Sequence, residues 1–141
     1  ALNLNAAEGE GTMTGRFLGR GGATPILHVA FACTGLLDLA AGIEPALVLA
    51  PPVNYYADLQ LRFDLPEDLL ARLQAARLFY DEDAQGRYLQ LYTRAIDGVF
   101  FELVERQGDY AGFGAANASS RIFAQSTDYE SRWAEHRHDP A

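Results

Sequence analysis

The chain has no lysine, a single cysteine and no long apolar run, and each absence removes a class of function. Its basic side chains are 11 arginines against 19 acidic residues, a formal net charge of −8. Nucleic acid needs a basic surface for its phosphates, so no nucleic-acid partner is expected. With Cys33 alone, no intramolecular disulfide can form. No segment is apolar for long enough to span a bilayer, and the N-terminus lacks the basic-then-apolar layout of a signal peptide. A cytoplasmic location without membrane attachment is therefore expected. Nucleophilic catalysis is weakly supported, because Cys33 has neither a helix start nor basic neighbours and no serine sits in a nucleophile elbow. Gly112-Phe113-Gly114 is not followed by a phosphate-loop lysine, which sets a nucleotide site aside.

What is present is an ordinary globular balance, 49% hydrophobic and 21% charged over 141 residues. That length suffices for one core and falls short of two. Residues 12–18 partly alternate and read as an edge strand before the loop at 19–22. Residues 25–33 form an apolar, β-forming run interrupted by His28, which predicts a central strand buried on at least one face. A short helix follows over 36–41 with Thr34 as its N-cap, then a strand over 46–50 that Pro51-Pro52 ends.

Helical spacing runs from 54 to 63, and a second helix opens at 64–67 and continues to 76, with Asp64 as cap and Pro66 in the first turn. Three β-rich segments, 77–80, 88–93 and 99–106, are separated by turn-forming stretches at 81–86 and 95–98, which predicts an antiparallel meander. Residues 117–133 read as a helix, followed by a polar tail in which His136 and His138, two residues apart, could chelate a metal weakly but read better as solvated. The acidic turn at 81–86 lacks the ligand series and closing glutamate of a calcium loop and reads as a hairpin turn.

His28 and Glu102 each interrupt an apolar strand. A carboxylate between Phe101 and Leu103 is expensive to bury without a partner. A metal would satisfy both, since two imidazoles and one carboxylate on one face of an ion leave positions open for substrate and oxygen. Against this, a lone histidine in a strand is more often a hydrogen-bonded core or surface residue. Glu102 has a second reading too, facing solvent on an alternating strand.

Six segments in order decide between these readings: Leu27-His28-Val29-Ala30-Phe31; Pro52-Val53-Asn54-Tyr55-Tyr56; Tyr80-Asp81-Glu82-Asp83 with Gly86; Leu89-Gln90-Leu91-Tyr92-Thr93; Phe100-Phe101-Glu102-Leu103-Val104-Glu105-Arg106; and Gly112-Phe113-Gly114-Ala115-Ala116-Asn117. Together they resemble the second half of the C-terminal domain of 4-hydroxyphenylpyruvate dioxygenase, of the vicinal-oxygen-chelate superfamily. The resemblance covers residues 21–121. It implies an α+β fold, a βαβββ module whose curved mixed sheet has helices on one face, amounting to half to two thirds of a full dioxygenase-type domain. One partial domain over 1–141 is implied, with an edge strand and loop at 1–20, a core module at 21–123, and a C-terminal helix and tail at 117–141.

The resemblance further implies that His28 and Glu102 are metal ligands, and that Gln90, Phe113 and Asn117 belong to the substrate pocket. The cofactor implied is a divalent metal, Fe(II) first, with Mn, Mg or Co as alternatives. In the family the third ligand is a histidine on the first strand of the preceding module, and no histidine precedes His28 here. Either the sequence is a piece of a longer chain, a neighbouring chain donates the missing histidine, or the site is incomplete; the chain alone is expected to be inactive.

Leu27 and Ala116-Asn117-Ala118 depart from the dioxygenase pattern. With the segments 54–59 and 69–73 they look closer to the dioxygenase-like C-terminal domain of bacterial two-domain 3-dehydroshikimate dehydratases. The implied function is thus a metal-binding domain of such a fusion enzyme of quinate and shikimate catabolism, meeting a small aromatic or shikimate-type acid. The alternatives are a fragment of an iron-dependent dioxygenase acting on an aromatic 2-oxo acid, and a non-catalytic assembly module. A single module leaves an open sheet edge, so a homodimer or larger assembly is expected.

Overall fold

The computed structural model describes residues 28–96 and 99–136, with residues 132–136 described by backbone alone. The strand expected over 12–18, the loop after it, and the tail beyond 136 with His138 lie outside the described residues.

Strand β1 (His28–Ala32) is followed by helix α1 (Leu36–Ala40), a 3-10 turn (Pro45–Leu47), helix α2 (Tyr55–Phe63) and helix α3 (Glu67–Ala75). Strands β2 (Phe79–Glu82), β3 (Gly86–Tyr92) and β4 (Phe100–Gly108) follow, then a 3-10 turn (Ala115–Asn117) and helix α4 (Ala118–His136). The four strands form one sheet in the order β1-β4-β3-β2. The β2-β3-β4 meander is antiparallel, and β4 returns beside β1 in parallel. Such a return requires the long helical crossover that the sequence between β1 and β2 supplies. This is the βαβββ arrangement that the resemblance implies.

Three local expectations change. Residues 46–50 do not form a strand: Pro45 fixes a 3-10 turn, and Val48 makes only an isolated bridge to Thr93. Proline's fixed φ and missing N–H suit a helical first turn better than a ladder. Thr34 is not the N-cap of α1; Gly35 is, at φ 68 with no local side-chain cap. Asp64 does not open α3 either. It closes α2 in the left-handed conformation at φ 47, its N–H bonded to the Gln60 carbonyl, and Pro66 stands one residue outside α3 as its N-cap.

β1 also differs from the buried central strand expected of its composition. It ends the described sheet, with Ala30 to Ala32 exposed and Phe31 at 50%. The hairpin turn at 83–85 is as expected, closed by Asp83, whose Oδ1 accepts from the Gln85 and Gly86 N–H groups. The core gathers Leu36, Leu59, Leu73, Leu78, Phe79, Leu89, Leu91 and Phe100, all buried. Tyr55 and Leu59, one turn apart on α2, deliver that helix's apolar stripe to it.

Candidate functional site

Residues opposite one another in a ladder share a face, and alternate residues of a strand do as well. The register pairs His28 with Phe100, Tyr92 with Glu102, and Phe79 with Gln90. One face of the sheet therefore carries His28, Phe100, Glu102, Tyr92 and Gln90. The imidazole of His28 stacks on the Phe100 ring at 5.0 Å with planes 8° apart. From there its Nε2 reaches Glu102 Oε2 at 3.5 Å.

Glu102 is buried and held from a second side. Gln90 Nε2 donates to its Oε1 at 2.9 Å and to the Tyr92 hydroxyl at 2.6 Å. Behind Gln90, Asn117 Nδ2 donates to Gln90 Oε1 at 2.9 Å and to the Tyr80 carbonyl at 3.2 Å. Asn117 Oδ1 accepts from the Tyr55 hydroxyl at 2.9 Å, and that hydroxyl in turn accepts the Tyr80 N–H at 2.8 Å. One run of donors leads from the Tyr80 N–H through Tyr55, Asn117 and Gln90 to Glu102, while Asn117 also donates back to the Tyr80 carbonyl. A buried network with every member satisfied fixes rotamers that a half-paired one would leave free.

Gly114 makes room for the network. At φ 62 it occupies a backbone conformation that side chains disfavour, and a Cβ there would lie 2.2 Å from Gln90 Oε1. α4 covers the same face. Its Arg121 guanidinium lies 5.6 Å from the Tyr92 ring centre and 5.7 Å from that of Phe100. Arg94 pairs with Asp128 at 2.9 Å, which fastens the helix to the segment after β3.

Burial lowers the pKa of His28 below its ordinary 6.5; the nearby Glu102 charge opposes this and Arg121 adds to it. At neutral pH the imidazole is the neutral, lone-pair form. Burial pushes the Tyr92 phenol up, and the Glu102 charge pushes it further, so it stays protonated.

The residues singled out in the sequence thus divide. His28, Glu102, Gln90 and Asn117 converge in one connected cluster. Phe113 does not join their hydrogen bonds; it is 71% exposed, with the Arg106 guanidinium 5.2 Å from its ring centre. Among the described residues no group of three or more His, Cys, Asp or Glu converges as a metal-binding set would. Tyr92 and Arg121 were missed, although each carried a signal. Tyr92 is two residues from Gln90 on a strand, and Arg121 is four from Asn117 at the start of a helix. No local signal marks Tyr55.

An imidazole and a carboxylate 3.5 Å apart suit neighbouring ligands of one ion, each about 2.0–2.2 Å from it. Their chemistry fits a divalent metal, and they are two donors of the three a facial site uses. Among the described residues no helix is long and apolar enough to cross a membrane.

No protein-family model matches the chain. It is 36% identical over 129 residues to 3-dehydroshikimate dehydratases of Pseudomonas putida and Pseudomonas aeruginosa, covering 89% of this chain and 20% of each relative. It is 26% identical to 4-hydroxyphenylpyruvate dioxygenase of Xenopus tropicalis, over 79% of this chain and 30% of that protein. The chain therefore spans about a fifth to a third of the length of these relatives.

Among solved structures, a xylose isomerase-like TIM barrel/4-hydroxyphenylpyruvate dioxygenase fusion protein superposes with a TM-score of 0.64 at 37% identity, covering 70% of this chain and 17% of that one. A variant of 4-hydroxymandelate synthase from Streptomyces coelicolor gives 0.67 at 26% identity, covering 82% and 34%. The chain is thus a partial 4-hydroxyphenylpyruvate-dioxygenase-like domain of the vicinal-oxygen-chelate fold, homologous to a segment of the 3-dehydroshikimate dehydratases.

Proposed function

We propose that this domain binds a divalent metal, Fe(II) first, through His28 and Glu102, as the dioxygenase-like C-terminal part of a cytoplasmic 3-dehydroshikimate dehydratase-type fusion enzyme. The observation that carries the reading is the convergence of His28 Nε2 and Glu102 Oε2 at 3.5 Å, with the other carboxylate oxygen held by Gln90. The neutral imidazole needs no proton removed before it ligates, and a carboxylate steered by an amide presents one oxygen in a fixed direction. A bound ferrous ion would supply open positions at which a 2-oxo acid chelates and oxygen is activated. Within this chain, Gln90, Asn117 and Tyr92 orient Glu102 and keep water from its buried oxygen, and Phe100 fixes the imidazole plane.

Two described donors make part of a site. The reading therefore places the third ligand in a longer chain or a neighbouring one, and assigns the conversion of a small aromatic or shikimate-type acid to the complete protein. The test is metal content and manganese titration of the purified chain beside His28→Ala and Glu102→Ala. Loss of the bound metal in both variants is expected, and metal content unchanged in both would remove the proposal. Oxygen uptake with 4-hydroxyphenylpyruvate separates a dehydratase-type accessory domain from a dioxygenase fragment, since robust turnover would defeat the former.

A second reading, assembly, is favoured by β1. Phe31 and Phe101 lie ring to ring at 6.1 Å, 50% and 39% exposed, beside the open edge of the described sheet. Unpaired edges and apolar surface favour a second module. Self-association in sedimentation velocity is expected, weakened by Phe31→Glu; a monomer at every concentration would count against it.

A further inference from the structure

Arg121 makes no salt bridge among the described residues, and its guanidinium faces two aromatic rings. Arg62, Arg72, Arg87 and Arg94 each pair with a carboxylate. Arg77 and Arg106 donate to backbone carbonyls, of Pro45 and Gly112. Arg121 belongs to no ion pair among the described residues, and its hydrogen bond goes to a neutral amide, from Nη1 to Gln125 Oε1 at 2.8 Å. A guanidinium has five N–H donors in a rigid fork suited to a carboxylate, so most of this one's capacity is unspent.

Its position matters as much as its charge. The guanidinium lies over Tyr92 and Phe100, and Phe100 is the ring on which His28 stacks. Tyr92 is bonded to Gln90, whose amide holds Glu102. Arg121 is half-buried, so solvent screens it less than a surface arginine while a ligand can still reach it. Packing α4 on the sheet would need only the arginine's stem and the faces of two rings; a leucine or methionine would do that without desolvating a charge.

We propose that Arg121 is the anion-recognition residue of this site, pairing with the carboxylate of a small organic acid held on the His28–Glu102 face. The proposal rests on the reading of that face as the ligand site. It gives the acid an electrostatic anchor on α4, opposite the strands that carry the metal-type donors.

The experiment titrates the metal-free full chain with 4-hydroxyphenylacetate and, separately, with the neutral 4-hydroxyphenylacetamide, followed by amide chemical shifts. The acid should bind about tenfold more tightly than the amide in low salt, a single charged contact's worth of discrimination. Added salt should shrink the ratio. Arg121→Met should bring it to about one, and Arg121→Lys should retain part of it. Equal ratios in Arg121→Met and the native chain overturn the proposal, as does a native chain with no preference for the acid. If Arg121→Met fails to fold, Arg121→Lys and the native salt dependence decide: a preference unchanged in high salt overturns the proposal. Manganese titration without the acid reads the metal proposal separately, since its failure would leave the acid-to-amide ratio untouched.

Discussion

Gln90 holds Glu102 by a 2.9 Å hydrogen bond running from β3 to β4, and it does so with an amide whose oxygen is itself held by Asn117. One buried side chain thereby couples the carboxylate to the start of α4.

Replacing Gln90 by Leu removes a donor from Glu102 and the acceptor of Asn117 while keeping similar bulk. A buried polar group left unsatisfied costs about 1–3 kcal/mol, so the variant should lose about 2–4 kcal/mol in urea unfolding. A loss below about 1 kcal/mol would mean that these bonds do not hold the site together.

Gly114 and Gly35 separate backbone strain from steric conflict. Both have positive φ, 62 and 68, but a Cβ at Gly114 meets Gln90 Oε1 at 2.2 Å, whereas one at Gly35 meets nothing within 4 Å. Gly35→Ala should cost about 1–2 kcal/mol from conformation. Gly114→Ala should add about 1–3 kcal/mol from overpacking and disturb the Gln90 amide resonance. Equal losses in the two variants would contradict the close approach.

His28 should titrate below its ordinary 6.5 in an imidazole NMR titration, because burial disfavours its charged form. Glu102→Gln removes an opposing charge and should lower the value further; Arg121→Met removes a like charge and should raise it. Movement of either variant in the other direction would break the assignment. The sign for stability follows: the unfolded chain takes up this proton first as pH falls, so His28's contribution is complete above 6.5 and is lost as pH drops through the lowered folded value.

Glu105 serves a different end from Glu102. Three residues on along β4, it accepts from the Leu36 N–H at 2.7 Å and the Gly35 N–H at 3.0 Å, replacing the cap that α1 lacks. Burial would raise its pKa, but the hydrogen bonds from Leu36, Gly35 and Gln107 outweigh that and hold it below the ordinary 4.5. The stability it contributes is present above 4.5 and lost as pH falls through the lowered folded value. Glu105→Gln should cost about 1–3 kcal/mol at neutral pH, and the gap to the native chain should close in acid. A gap independent of pH would refute the role.

Much of the architecture was legible in the residues. Alternation and turn composition marked the β2-β3-β4 meander, and helical spacing marked α2 to within a residue. The errors fell where local signals conflict. Thr34 and Asp64 are good cap residues and Pro66 a good first-turn residue, and the position each takes depends on where the chain must turn to pack. The apolar run 46–50 reads as a strand until Pro45 and the position of β3 reduce it to one bridge.

The sequence by itself determined the residue types of the site and its family. His28 and Glu102 stand out as polar interruptions of apolar strands, and the segments around them, read together, carry the kinship that the relatives share. What only the tertiary structure decided is who meets whom. The parallel return of β4 beside β1 brings His28 to Glu102, because a ladder register matches residues that no local rule connects. Packing of the helices on the sheet does the rest: α1 starts where Glu105 can cap it, and α4 sets Arg121 near the rings of Tyr92 and Phe100. Hydrogen bonds and charges act over a few ångströms of space, whatever the distance along the chain.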